Sequence, residues 1–278
     1  MSARTFFGKR EEASLAGIII ILTSINNKLD IISLIFKVYL IWCFKDFKLL
    51  LYQPQEGYCY NSDSIYLYDF ISSFNLKGRL LDVGSGCGVL GLLVARDNKV
   101  QAEGVDKQWA FCQYTQKNAE VNDIEYVMHQ SDFLEFQDSR GFDVIISNPP
   151  FYHEGSSKSE NEMRHTARYN VHLPMSKFFN KVSKLLGNRG YFVFCYDPQQ
   201  FQEICVELSK ARLTIETVQF IHPKVDRKAS LVMIQARKGS KSLMKTREPF
   251  VTFDKDEFSS NTQEIYKKAR THSIKCTL

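Results

Sequence analysis

The sequence predicts a Rossmann-like α/β fold whose seven-stranded sheet is mostly parallel and carries an antiparallel closing strand. Three observations point to it. Short apolar strands alternate with helical segments from residue 78 onward, a glycine-rich turn links the first of them to its helix, and the last two form a hairpin pattern. The chain has 278 residues, of which 44% are hydrophobic and 24% charged, so it is long and apolar enough for a buried core.

The first strand–turn–helix unit carries the glycines. An apolar strand at residues 79–83 is followed by Gly84, Gly86 and Gly88, and residues 89–96 have apolar side chains at helical spacing. Glycines between a strand and a helix let the backbone approach a ligand closely. A tight turn in another kind of α/β protein is the alternative.

Acidic residues follow the next two predicted strands. The strand at residues 100–105 ends at Asp106, in the position where a carboxylate accepts hydrogen bonds from ribose hydroxyls. The strand at residues 125–129 is followed by Asp132 and Phe133, which suit an adenine amino group and the face of its ring. Asp132 also fits a helix N-cap, and the two roles are compatible.

The acid inside the first strand narrows the choice of cofactor. Asp82 lies at the mouth of the glycine turn, where its charge repels a pyrophosphate and suits a cationic ligand. The spacing is Gly-x-Gly-x-Gly, not the Gly-x-Gly-x-x-Gly of dinucleotide folds. S-adenosylmethionine has a sulfonium, an α-ammonium group and no phosphate. The sequence therefore favours this cofactor over NAD.

A second motif follows the predicted strand at residues 142–147. Asn148 and the Pro149 carbonyl supply two hydrogen-bond acceptors, Pro149 and Pro150 stiffen the turn, and Phe151 supplies a flat stacking face. Two acceptors that hold both hydrogens of a planar exocyclic amine direct its nitrogen toward a methyl donor. A rigid proline turn without catalytic role is the alternative.

The glycine turn, the three acids and the Asn-Pro-Pro-Phe motif together resemble class I S-adenosylmethionine-dependent methyltransferases that act on an exocyclic or amide nitrogen. Within that class the chain is most similar to the adenine-N6 methyltransferases of valine tRNA, which modify the adenine next to the anticodon. The stretches that carry this narrower resemblance are Tyr58–Ser64, Asn148–Tyr152, Ala167–Tyr169 and Ser230–Ala236. The sequence departs from the family at Asp106, where glutamate is common, and at Ser62, which replaces threonine.

The resemblance implies an RNA substrate whose target base leaves its stack and enters the pocket. Phe151 and Tyr152 are the expected stacking faces. The polar segment 153–168 reads as a mobile loop beside the site, with Arg168 able to contact phosphate, or as an ordinary solvated loop.

A basic run in the C-terminal part is a second candidate RNA contact. Eight lysines and arginines and a single acid lie between Lys224 and Arg247, in a chain of net charge +5. Lys224, Arg227 and Lys228 open the run and are predicted to contact the substrate. A solvated basic surface is the alternative.

The other predicted elements complete the sheet. They are helices at 107–121, 173–186 and 198–211, a strand at 190–196, a hairpin of 213–220 with 230–236, and a last helix at 263–270 capped by Ser259 or Ser260.

Residues 1–50 form an atypical apolar segment of unknown role, and residues 51–278 are predicted to form the domain. The runs at 15–22 and 31–44 are shorter than the ~20 apolar residues that span a bilayer. An appended helical segment, a peripheral membrane anchor, a signal peptide and upstream translation remain as interpretations. The seven scattered cysteines indicate reduced thiols and a cytoplasmic protein, and their spacing predicts no metal site.

Two other classes of function remain open. One keeps the chemistry and changes the acceptor to a ribosomal guanine N2, a release-factor glutamine or a DNA adenine. The other is a non-catalytic RNA-binding module, which the intact Asn148 and Asp82 disfavour.

Overall fold

A computed structural model describes residues 49–57, 59–149 and 174–278. Several predicted features lie outside the described residues, namely Tyr58, Pro150, Phe151, Tyr152, Arg168, the loop at 153–168 and nearly all of the N-terminal segment. The first described strand begins at Leu49, two residues before the predicted domain boundary at residue 51.

Strands and helices alternate along the described chain. The strands are β1 (Leu49–Pro54), β2 (Gly78–Val83), β3 (Val100–Asp106), β4 (Tyr126–Gln130), β5 (Phe142–Ser147), β6 (Leu186–Tyr196), β7 (Leu213–His222), β8 (Leu231–Lys238), β9 (Lys245–Thr246), β10 (Phe250–Val251), β11 (Phe253–Asp254), β12 (Glu257–Phe258) and β13 (Thr271–Cys276). The helices are α1 (Ser62–Ser72), α2 (Val89–Asp97), α3 (Trp109–Val121), α4 (Met175–Leu185), α5 (Phe201–Lys210) and α6 (Ser260–Ala269). Across the described ranges, no helix is long and apolar enough to cross a membrane.

The central sheet has the strand order β4-β3-β2-β5-β6-β8-β7. All neighbours pair in parallel except β8, which is antiparallel to both β6 and β7. The predicted sheet of seven strands with an antiparallel closing strand is therefore confirmed. Two further strands, β9 and β10, pair with β7 and were not predicted, because two residues are too few to show an alternating pattern.

Helix α4 covers one face of the sheet with aromatic side chains. Phe192 and Phe194 alternate along β6, point to the same face and stack with ring centroids 4.4 Å apart. Phe178 and Phe179 of α4 pack against Phe192 at 5.7 and 5.9 Å. All four rings are fully buried, so this aromatic cluster anchors α4 to the strand beside β5.

A second, two-stranded sheet joins β1 to β13 in parallel, and the sequence did not predict it. Two asparagines of α3 hold its outer edge. The Asn118 side chain accepts from Tyr52 N at 2.6 Å and donates to Tyr52 O at 2.9 Å, and Asn122 bonds both backbone groups of Leu50 at 2.7 Å. Side-chain amides thus replace a neighbouring strand along this edge of β1.

Candidate active site

Four polar elements follow adjacent strands at one edge of the sheet. The order β4-β3-β2-β5 brings Asp132, Asp106, the glycine turn and Asn148 into a row at the carboxyl ends of these strands. Open α/β sheets bind their ligands at this edge. The strand order therefore brings together the residues that the sequence singled out separately.

The glycine turn is held in a conformation that other residues rarely adopt. Gly84, Gly86 and Gly88 all have positive φ, between 54° and 79°. A Cβ at Gly88 would lie 2.7 Å from the Thr115 methyl group, so α3 also restricts that position. The Thr115 hydroxyl donates to Gly86 O at 2.6 Å and fixes the turn against α3.

Asp82 is the buried acid beside this turn. Its side chain is 1% exposed and its Oδ2 accepts from Gly91 N, in the first turn of α2, at 2.9 Å. Burial raises the pKa of Asp82 to about 7, although the Gly91 hydrogen bond opposes the shift. Within the part of the chain that the structure describes, Asp82 forms no ion pair. A cationic ligand would therefore stabilise its ionised form.

Asp106 connects the glycine turn to the start of α3. Its Oδ2 accepts from Gly86 N at 3.0 Å and its Oδ1 accepts from Gln108 N at 2.9 Å. Burial raises its pKa, and the backbone donors partly offset that effect. Each carboxylate oxygen keeps a second lone pair, so Asp106 can still accept a ligand hydroxyl.

The Asn148 amide is oriented by two side chains that the sequence did not single out for this role. Its Nδ2 donates to Ser64 Oγ at 3.1 Å, and the Cys195 thiol donates to its Oδ1 at 3.1 Å. Cys195 is fully buried and its pKa is raised well above the usual range by burial, so it is a thiol and a hydrogen-bond donor. Ser64 falls in a stretch that carries the family resemblance, whereas no sequence signal marks Cys195.

One cleft contains both halves of the predicted site. Asp82 and Asn148 both line it, together with Tyr60, Ser64, Gly84, Ser85, Gly86, Cys87, Val89 and Leu90. The glycine backbone faces this space: a Cβ at Gly84 or Gly86 would meet no atom of the described residues within 4 Å. A buried acid that pairs with no cation among the described residues, an open glycine turn and an oriented amide fit a ligand that carries positive charge and no phosphate.

Asp132 and Phe133 occupy the next position along the edge. Asp132 accepts from Leu134 N at 2.9 Å and begins a turn, not the helix that the N-cap alternative required. Phe133 is only 6% exposed and packs edge-to-face on Phe178 at 5.6 Å. Its ring is therefore mainly part of the hydrophobic core, and only a small edge is available to a ligand.

The basic run does not form one continuous surface. Four of its eight cations are engaged within the protein: Lys224 with Asp256, Arg237 with Glu216, Lys238 with backbone carbonyls of α4 and β6, and Arg247 with the rings of Phe70 and Phe74. Arg227 and Lys228 are exposed in the loop between β7 and β8. Since β7 runs parallel to β5, this loop lies at the same edge of the sheet as Asn148.

The sequence is similar to known methyltransferases. Residues 64–169 match the family model described as "Methyltransferase small domain". Relatives named "tRNA1(Val) (adenine(37)-N6)-methyltransferase" from Yersinia pestis and Yersinia pseudotuberculosis are 30% identical over 154 residues. That alignment covers 53% of this chain, and the chain spans only 59% of the length of these relatives.

Solved structures show the same fold. A "predicted O-methyltransferase" from Agrobacterium tumefaciens matches 76% of this chain and 99% of its own, with a TM-score of 0.59 and 17% identity. A ribosomal protein L11 methylase from Lactobacillus delbrueckii matches 68% of this chain and 94% of its own, with a TM-score of 0.50 and 18% identity. The fold is that of class I methyltransferases, as the sequence predicted.

Proposed function

We propose that this protein is an S-adenosylmethionine-dependent methyltransferase that modifies the N6 atom of an adenine in tRNA, next to the anticodon of valine tRNA. The observation that carries the proposal is the single cleft lined by both Asp82 and Asn148. The assignment of tRNA as substrate, and with it a cytoplasmic location, rests on the 30% identical relatives and on the basic β7–β8 loop beside the site.

The proposed cofactor site combines the glycine turn with the acids of the sheet edge. S-adenosylmethionine supplies an electrophilic methyl group when bound. Asp82 provides negative charge for the cationic amino acid end, and the Asp106 carboxylate accepts from the ribose hydroxyls. Asp132 and the exposed edge of Phe133 are assigned to the adenine.

Asn148 is the proposed catalytic residue. Its Oδ1 and the Pro149 carbonyl accept the two hydrogens of the adenine amino group and orient the nitrogen lone pair. The Ser64 and Cys195 contacts keep Oδ1 facing its donors. We assign Pro150 to stiffening this turn, Phe151 to stacking on the base, and Tyr152 and Arg168 to the substrate contacts.

The direct test is methylation of a valine tRNA transcript followed by nucleoside mass spectrometry. We expect N6-methyladenosine at the position next to the anticodon. Methylated guanine N2, methylated glutamine in a release factor or methylated DNA would reassign the acceptor. Cofactor binding with no methyl transfer to any of these acceptors would support the non-catalytic module.

An Asn148→Ala variant tests the amine-binding role. Turnover should be lost, because a methyl group cannot accept the amine hydrogens, whereas the dissociation constant for S-adenosylmethionine, measured by calorimetry, should stay near that of the wild type. Retained turnover would contradict the proposed role of Asn148.

Two matched double variants test the basic loop. Replacing Arg227 and Lys228 by alanine should weaken tRNA binding and reduce the slope of log K against log salt by about 0.7, the single-strand value, for each phosphate that the variant no longer neutralises. Replacing Lys241 and Lys245 removes the same charge from exposed positions of the same run but outside the loop. Equal effects of the two pairs would show a general basic surface, not a specific contact.

A further inference from the structure

One tyrosine hydroxyl is buried beside Asp82 without a hydrogen-bond partner. Tyr126 is the first residue of β4. Its Oη is the one buried side-chain nitrogen or oxygen, among the residues that the structure describes, that makes no hydrogen bond. Leaving a buried hydroxyl unpaired costs free energy, so the position of this hydroxyl requires an explanation.

The strand register brings the Tyr126 side chain to Asp82. Asp82 of β2 lies beside Gly104 of β3, and Gly104 lies beside Met128 of β4. Tyr126 precedes Met128 by two residues, so both side chains project from the same face of the sheet. Side chains lean along the direction of their strand, and the Tyr126 ring accordingly reaches across Gly104 toward Asp82.

Two glycines leave room for this hydroxyl. A Cβ at Gly104 would lie 2.6 Å from Tyr126 Oη, and a Cβ at Gly91 would lie 2.4 Å from Tyr126 Oη and 2.8 Å from Asp82 Oδ2. Gly91 lies within α2 and Gly104 within β3, so space and not an unusual backbone excludes a side chain from these positions. The hydroxyl and Asp82 Oδ2 therefore border the same small space between the helix and the sheet.

The two groups suit each other as donor and acceptor. Burial raises the pKa of Tyr126 well above its usual range, so the hydroxyl keeps its proton and can donate it. Burial also raises the pKa of Asp82 to about 7, and the Tyr126 hydroxyl is one of the groups that oppose this rise. A hydrogen bond to an ionised carboxylate is stronger than one to a neutral carboxyl group, so the donor favours the charged form of Asp82.

The neighbouring strands place four further charged or titratable groups around this pair: Asp106, Glu103, Arg79 and His129. Asp106 faces Asp82 and disfavours its ionisation. Glu103 acts on the Tyr126 hydroxyl, and its own carboxylate is bonded to Arg79 and His129. From α2 the group that faces Asp82 is Gly91 N, which already donates to Oδ2. Tyr126 is thus a second donor within reach of this carboxylate.

We infer that Tyr126 is a positioning residue for the proposed cofactor site, and that its hydroxyl donates to the Asp82 carboxylate when Asp82 is ionised and faces a cationic ligand. The inference rests on the proposed function and adds to its site a residue that does not line the cleft. Tyr126 therefore acts on the ligand through Asp82. The proton stays on the tyrosine throughout, and only the hydrogen bond forms.

The test compares two substitutions that each remove one buried hydroxyl. Tyr126→Phe removes the proposed donor and keeps its ring. Tyr68→Phe is the matched control, because Tyr68 is fully buried on α1 and donates to Asp97 away from the cleft. Tyr126→Phe is also combined with Asp82→Asn. The Kd for S-adenosylmethionine, kcat, and the Tm of the ligand-free protein are measured as functions of pH.

We expect Tyr126→Phe to raise the Kd for S-adenosylmethionine about fivefold to tenfold at about pH 6.5, because ionised Asp82 loses a donor. The difference from the wild type should narrow at about pH 8.5, where Asp82 is ionised in both proteins. At saturating cofactor, kcat should stay near that of the wild type. Tyr126→Phe should have little further effect on Kd in the Asp82→Asn background, and Tyr68→Phe should not change Kd at any pH.

The ligand-free protein gives an independent readout. Loss of the donor raises the folded-state pKa of Asp82 further, so the decrease of stability with rising pH should extend above about pH 7 in Tyr126→Phe. At about pH 5, where Asp82 is protonated in both folded proteins, removing an unpaired hydroxyl should leave Tm unchanged or raise it. Tyr68→Phe should lower Tm at both pH values, because its hydroxyl has a partner.

Failure of this inference is distinguishable from failure of the proposed function. If Tyr126→Phe has the wild-type Kd at every pH, or raises Kd equally with and without Asp82→Asn, the positioning role is wrong and the proposed function stands. If the wild-type protein binds no S-adenosylmethionine, or transfers no methyl group to adenine in RNA, the proposed function is overturned. The ligand-free Tm profiles decide the pairing in either case, since parallel profiles of Tyr126→Phe and wild type would show that Tyr126 does not donate to Asp82.

Discussion

Buried carboxylates have different partners, and pKa values shifted in opposite directions, at the two ends of the β2–β3 pair. At the carboxyl end, Asp82 and Asp106 accept backbone hydrogen bonds, form no ion pair within the described residues, and have pKa values raised by burial. At the amino end, Arg79 bonds Glu103 at 2.5 Å and Asp138 at 2.9 Å, and this hydrogen bonding holds the pKa of Asp138 well below its usual range.

The ion pairs at the amino end stabilise the fold, whereas the acids at the carboxyl end serve the proposed site. At the amino end, the guanidinium compensates two carboxylates that are both nearly buried. At the carboxyl end, uncompensated acids cost stability and leave negative charge for a ligand. Removing a charge should therefore have opposite effects on stability at the two ends.

The largest effect is expected at the amino end. Arg79→Met removes the guanidinium that hydrogen-bonds both Glu103 and Asp138, which are nearly buried, and this should cost about 3–5 kcal/mol and lower Tm by about 10 °C. Calorimetry measures it. Arg140→Met is the control, because the Arg140 side chain is 70% exposed and its guanidinium lies 3.6 Å from Asp138 and 4.0 Å from Glu103, so its loss should change little. Equal Tm values for the two variants would show that the amino end is not stabilised by its buried cation.

At the carboxyl end, Asp82→Asn should leave stability unchanged or raise it. The amide oxygen still accepts from Gly91 N, and the cost of a buried charge is gone. The affinity for S-adenosylmethionine should fall about tenfold or more, because the cationic end loses its counter-charge. Calorimetric titration and thermal melts measure both quantities. An unchanged cofactor Kd would show that Asp82 acts only as a cap for α2.

The raised pKa of Asp82 predicts opposite pH trends for stability and binding. Between about pH 4 and its folded-state pKa of about 7, the unfolded state has lost this proton and the folded state retains it. The Asp82 contribution to stability therefore decreases as pH rises through this window, while affinity for a cationic ligand increases and levels off above about pH 7. Asp82→Asn should lack both trends, and identical pH profiles for variant and wild type would contradict the assignment.

The smallest effect is expected at Cys195, which we assign as a positioning residue for Asn148. Cys195→Ala removes the donor to Asn148 Oδ1 and should lower kcat about threefold to tenfold without changing the cofactor Kd. Cys195→Ser keeps a donor and should restore most of kcat. If the serine and alanine variants had the same kcat and differed only in Tm, Cys195 would have a packing role alone.

The βα units of the central sheet could be predicted from the sequence. The pairing of β1 with β13 could not. Residues 79–83 and 100–105 lie in βα units, whose apolar pattern and right-handed connections leave few alternatives. The β1–β13 pair joins two short strands from opposite ends of the domain, and nothing local in either strand specifies its partner. The asparagines of α3 that hold β1 look like ordinary polar residues of an exposed helix face.

The site was predictable where chemistry depends on residue type and less so where it depends on orientation. The roles proposed for Asp82 and Asn148 follow from their carboxylate and amide groups, which the sequence shows directly. The structure brings both residues into one cleft. Cys195 can act because its thiol points toward Asn148 Oδ1, and that orientation is defined only once β6 is packed in the sheet. The basic run shows the same limit, since Arg237 and Arg247 contribute to its charge in sequence but are engaged with Glu216 and with aromatic rings.

The side-chain edge that α3 offers to β1 has a consequence for the order of assembly. Asn118 and Asn122 satisfy the backbone of Leu50 and Tyr52 without any contribution from β13, which lies much later in the chain than α3. Pairing between strands so far apart in the chain is intrinsically slow. The two asparagines therefore give β1 a docking template as soon as α3 has formed, so that β13 can add to an edge already in place.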